Sequence, residues 1–90
     1  MKNYTLERID KAWIIVVSET YIDYKKDPGS KDFFFAVIDK ADFPIDYDNL
    51  MHQLRFALKH GKEVDLILER RPGSPNGKQM MDYLVHALFW

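Results

Sequence analysis

The stretch "ILERRPGSPNGKQMMDYL", residues 67–84, gathers the groups best able to hold an anion: Arg70, Arg71, Asn76 and Lys78, with Gly73 and Gly77 between them. Two guanidinium forks and an ammonium beside a glycine-containing turn suit a phosphate, a nucleotide or an RNA end. The spacing is not that of a P-loop. Gly73 and the Gly77-Lys78 pair stand one residue too close, Gln79 replaces the hydroxyl, and Pro75 removes an N–H donor.

Asp39, Asp42, Asp46 and Asp48 form an acidic group that would offset these cations if the fold brings the two together. Their positions also suit capping and the first turn of a helix. A magnesium ion on Asp39, Asp42 and Glu69, with the arginines on a phosphate, would make a metal-assisted phosphoryl or nucleic-acid hydrolase. That spacing matches no motif, so no catalytic residue, metal ligand or cofactor is assigned. His52, His60 and His86 carry no metal signature, and Asp48 and His52, four apart, read as a helix-surface pair. Ser18, Ser30 and Ser74 lack a nucleophile frame.

A second basic cluster, Lys25, Lys26 and Lys31, stands close to Tyr21 and Tyr24. Cations interleaved with rings can bind single-stranded nucleic acid by stacking plus phosphate contact. A lysine-rich hairpin tip also protects a sheet edge and aids solubility, and that reading is preferred here.

The elements that must position these groups follow from periodicity. "AWIIVV" (12–17) and "FFFAVID" (33–39) read as strands apolar on both faces, joined as a hairpin through the Asp-Pro-Gly-Ser turn at residues 27–30. "ADFPIDYDNLMHQLRFALKHGK" changes period: Leu50, Met51, Leu54, Ala57 and Leu58 form a helical stripe that Gly61 ends. "EVDLILE" alternates, with Val64, Leu66 and Leu68 on one face. Met81, Leu84, Val85 and Leu88 then predict a last helix capped by Ser74 or Asn76. The expected fold is α+β, a two-layer ββαβα sandwich: a three-stranded mixed sheet of order 2-1-3 under two helices. Its second and third strands would run parallel through a right-handed crossover, placing the arginine-rich bend beside the aspartates.

Ninety residues, 47% hydrophobic and 30% charged, fit one small domain over residues 1–90. The net charge of −1 gives no general attraction for nucleic acid or anionic membrane. The absence of cysteine excludes disulfides and thiolate chemistry. No apolar run approaches the roughly 18 residues a membrane span needs, so a cytoplasmic, non-membrane protein is expected.

Two helices cover only one face of a three-stranded sheet. With Trp13, Ile15, Val17, Phe33, Phe35 and Val37 inside, the residues Ile14, Val16, Phe34 and Ile38 would face water as an apolar patch. The "HALFW" ending adds Phe89 and Trp90 to this expected interface. The leading expectation is therefore a non-enzymatic interaction protein, an inhibitor or regulatory adaptor with a protein partner, acting as a homodimer. The alternative is a phosphate-, nucleotide- or RNA-binding module built on the 70–78 loop. "FPIDYDNLMHQL" followed by "VDLILE" resembles barstar-type inhibitors over a short part of the chain. Its leucine spacing and leading hairpin differ, so no fold, partner or residue role is carried over.

Overall fold

The computed structural model describes residues 5–73 and 79–89. Among these, five strands and one helix follow in the order β1 (Leu6–Val17), β2 (Tyr21–Lys25), β3 (Phe34–Val37), α1 (Tyr47–His60), β4 (Glu63–Pro72) and β5 (Met80–Phe89). A 3-10 turn at Lys40–Asp42 lies between β3 and α1. The strands close into a barrel in the order β1-β2-β3-β5-β4, with β4 returning to β1. Every pairing is antiparallel except β3 with β5, which meet at Val37 and Tyr83. Closure pairs each strand with two neighbours.

Strand β1 makes closure possible because it serves two neighbours. Its first half pairs with β4, from Leu6 opposite Glu69 to Trp13 opposite Glu63, and its second half pairs with β2. The ladder to β4 shifts between Ile9 and Ala12, where Lys11 takes a left-handed φ of 57°. An extra residue of this kind bends a strand and sharpens its twist, which a small barrel needs. Asp65 on β4 holds the bend: its Oδ1 accepts the Lys11 backbone N–H at 2.8 Å, and its Oδ2 accepts from Arg8 Nη2 at 2.9 Å.

The core lies inside the barrel and beneath α1. Ile9, Ile14, Ile22, Tyr24, Ala36, Leu66, Leu68 and Leu84 point inward, and Leu50, Met51, Leu54 and Ala57 of α1 close over them. The helix lies where the sequence places it, and four of its five stripe residues are buried, while Leu58 is 38% exposed. Gly61 ends the helix with φ 63°, and the N–H of Lys62 reaches the Ala57 carbonyl at 2.9 Å. No atom lies within 4 Å of the position a Cβ would take there, so only the left-handed backbone resists a side chain. Gly61→Ala is expected to lower stability by about 1 kcal/mol, seen as a reduced urea midpoint at an unchanged slope.

The three-stranded ββαβα sandwich is overturned: the sheet has five strands, and only one helix is present among the described residues. "TYIDYK" is a strand of its own, so the Asp-Pro-Gly turn joins β2 to β3 and not β1 to β3. The expected last helix is β5. Its inward residues are Leu84, Ala87 and Phe89, opposite Leu68, Leu66 and Val64. A register shift between Ile67 and Leu68 leaves Val85 unpaired and stretches the inward spacing from two residues to three. That extra residue imitates a helical period in a segment whose Tyr, Val and Phe favour a strand.

The parallel relation is also reassigned. β3 runs parallel to β5, and β5 runs antiparallel to β4, so the FFFAVID and EVDLILE segments are antiparallel to each other. A five-stranded barrel places two of its strands between those segments on one side and one on the other.

Candidate functional site

Arg71 is engaged within the protein. Its Nη1 and Nη2 donate to the two Asp42 carboxylate oxygens at 2.8 and 3.2 Å, and its Nε donates to Glu69. The hydrogen bonds to Asp42, reinforced by Glu69, hold the guanidinium more firmly protonated than usual. Its carbon also lies 5.0 Å from the centre of the Tyr83 ring. The residue therefore fastens the 3-10 turn to the end of β4, leaving little of its fork for an anion. Arg70 is exposed and approaches Asp82 at 3.5 Å. No helix begins after the loop to add its dipole, because residues 80–89 are β5. Asn76, Lys78 and the candidate cap Ser74 lie outside the described residues, as does Trp90.

Of the acidic group, Asp42 does meet an arginine, through β5 lying between β3 and β4 and not through a parallel β3–β4 pair. Asp39 caps the 3-10 turn, its Oδ1 accepting the Ala41 N–H at 3.0 Å. Asp46 precedes α1 without a side-chain cap bond, and Asp48 is exposed in the first turn. Among the described residues no set of three His, Asp or Glu side chains is placed to hold a metal ion.

The exposed chemistry lies elsewhere, on β2 and β3. Ile22, Tyr24 and Ala36 point into the barrel, which turns Tyr21, Asp23, Phe35 and Val37 outward and leaves Phe34, opposite Tyr24, exposed at the end of the inward row. Phe33, Phe34 and Phe35 remain 60%, 40% and 41% exposed. The Tyr21 and Phe35 rings lie 5.2 Å apart on the outer face, and Phe34 stacks on Tyr24 at 5.7 Å at the barrel rim. Lys26 Nζ stands 4.5 Å from the centre of Phe34. Val16, also exposed, continues the strip on β1 opposite Asp23.

The expected apolar patch is thus redrawn. Ile14 and Ile38 are 7% and 3% exposed and belong to the core, while Val16 and Phe34 do face solvent. Phe33 and Phe35, expected inside, are outside. On β1 the register shift between Ile14 and Val16 puts the two on opposite faces, and on β3 the inward Ala36 turns Phe35 out. Phe89 is half-buried and packs on the core. The signal that could have located this face is the run of three phenylalanines itself: one strand cannot turn three consecutive rings inward.

Burial pushes the Tyr24 phenol up to about 12, with the negative charges of Asp82 and Glu7 adding to the effect. The unfolded chain releases this proton near pH 10, so stability is intact below pH 10 and declines as the pH rises towards 12. The loss is on the order of 2–3 kcal/mol. Urea unfolding at mildly and strongly alkaline pH checks this: wild-type protein is expected to lose more stability than Tyr24→Phe, which has no proton to release. Equal losses would contradict it.

No helix among the described residues is long and apolar enough to cross a membrane. No protein-family model matches the sequence, and neither a curated protein nor a solved structure matches it significantly.

Proposed function

We propose that the protein is a non-enzymatic binding module that takes single-stranded nucleic acid on the β2–β3 face. The observation that carries this is the set of exposed rings Phe33 and Phe35, with Tyr21 against Phe35 on the outer face, and at the adjoining rim Phe34 under the Lys26 ammonium. Every nucleobase has a π-face, so such a set binds strands by stacking with little regard to sequence. The architecture is compatible: five-stranded Greek-key barrels of the OB type bind oligonucleotides or oligosaccharides on the face of their second and third strands. That is an analogy of form and adds support only alongside the rings.

Charge sets the expected character of binding. Residues 23–32 hold Lys25, Lys26 and Lys31 against Asp23, Asp27 and Asp32, so this hairpin has no net charge. Asp27 is partly engaged by the turn, accepting the Gly29 N–H at 3.0 Å. Stacking would therefore supply most of the affinity, with about two phosphate contacts and a salt slope near −1.4. Fluorescence anisotropy with labelled single strands and a duplex control across a salt series tests this. Saturable binding to single strands but not to duplex, with that shallow slope, is the expected result; no saturable binding in low salt refutes it.

A second reading keeps a protein occupant, either a partner or a second copy of the chain. It is supported by Phe33, the most exposed of the three rings, and by Val16 beside the aromatic strip. Light scattering across a concentration series separates the two: self-association that Phe33→Ser abolishes favours a homodimer, and a constant monomer mass opposes it.

A further inference from the structure

The geometry points to a second subsite that continues the first: the groove beside the aromatic face receives the next nucleotide of the same strand. This rests on the reading of the β2–β3 face as a strand-binding surface. The groove has a volume of about 930 Å³ and is bounded by the β1–β2 turn, the segment after β3, α1 and β5. Val37 belongs to both places. It is two residues beyond Phe35 on the outer face of β3, pairs with Tyr21 on one side and Tyr83 on the other, and lines the groove. A strand stacked on Phe35 and Tyr21 would thus reach the groove without leaving the surface.

The groove offers three chemistries together. Lys40, from the 3-10 turn, and Arg55, from α1, both line it, and neither forms an ion pair among the described residues. Tyr83 supplies a ring, with the Arg71 guanidinium over it at 5.0 Å. Glu19 supplies a carboxylate that is also outside any ion pair among the described residues, and its backbone carbonyl accepts the Tyr47 hydroxyl at 2.6 Å. A bare phosphate would meet the cations but also Glu19, Asp39 and Asp48, which cancel much of the attraction. A nucleotide in a strand suits the mixture better, because it presents an anionic phosphate to Lys40 and Arg55 and an amino-bearing base to a carboxylate acceptor. A volume of this size is sufficient for one nucleotide and part of the next.

Oligothymidylates of stepwise increasing length, and the same strands ending in a single cytidine, test the inference by anisotropy. Wild-type protein is expected to gain roughly 5- to 10-fold in affinity once the strand outgrows the aromatic face. Lys40→Ala/Arg55→Ala is expected to lose that gain while keeping wild-type affinity for the shortest strands; both residues are exposed, so the fold is retained. Glu19→Gln should reduce the preference for a terminal cytidine. A length-dependent gain that survives in the double variant, or no gain in wild-type protein, overturns the groove while leaving the aromatic face in place. If the shortest strands bind but Phe35→Ala leaves that binding intact, or if no strand binds, the face and the groove fall together.

Discussion

Replacing Phe35 with alanine is expected to weaken binding of a single-stranded oligonucleotide by roughly 10- to 100-fold, with stability almost unchanged. The magnitude follows from base–aromatic stacking, about 1–3 kcal/mol for each base. Phe35 is 41% exposed and faces outward, so its ring can stack on a base without displacing core side chains. Truncation also removes the partner of Tyr21 at 5.2 Å, which frees the Tyr21 ring to rotate and weakens the surface at two points. Lys26→Ala is a useful companion. It removes a cation from above Phe34 and one potential phosphate contact, so a smaller loss and a salt slope shallower by about 0.7 are expected. Thermal melting of the free variants gives the control: a change in affinity with an unchanged melting temperature places the effect on the surface. Unaltered binding by Phe35→Ala would remove the outer face from any role in nucleic-acid recognition.

The helix was legible because most signals in its sequence agree, although Leu58 is exposed and Asp46 makes no side-chain cap bond. Its apolar stripe, the aspartates before it and Gly61 after it all point to one element, and the core covers Leu50, Met51, Leu54 and Ala57 accordingly. The barrel was not legible, for two reasons that lie in particular residues. Charged residues in "LERIDK" conceal the first half of β1, because Arg8 and Asp65 pair across the strands and Lys11 sits at a bend. The unpaired Val85 gives β5 the apolar spacing of a helix. The bulges of β1 and β5 arise from closing the barrel and leave no local signature in an apolar pattern.

The candidate site shows the same division between residue types and geometry. The lysine and tyrosine cluster around the β2–β3 hairpin is visible in residue type, but its preferred reading is an edge-protecting hairpin tip, and the fold turns one of its two tyrosines, Tyr24, into the core. Which phenylalanines face out could not be read, since that depends on a parity set by Ile22 and Tyr24 meeting Ala36 and Phe34 across the ladder. In the 70–78 loop Arg71 carries a fork suited to phosphate. The fold turns that fork onto Asp42, whose carboxylate has the same bidentate geometry.

The largest effect on stability is expected from Asp65→Ala, at about 2–4 kcal/mol. Asp65 is 3% exposed and is the only charged residue among the fully described buried positions. Its carboxylate joins the Lys11 N–H, at the bend of β1, to Arg8 three residues earlier in the same strand. Alanine would leave the Lys11 N–H without this acceptor and release a left-handed residue whose conformation is unfavourable by roughly 1–2 kcal/mol. Arg8 contributes less, because it is half exposed and also bonds Asp10 at 2.6 Å. Asp65→Asn separates the two parts. The amide oxygen can still accept from Lys11, but its NH₂ faces the Arg8 donors, so a loss intermediate between wild type and alanine is expected. Urea unfolding of both variants, with hydrogen exchange at Lys11, reads the result. If Asp65→Ala unfolds at the wild-type midpoint, the β1 bend is held by the barrel as a whole and not by this carboxylate.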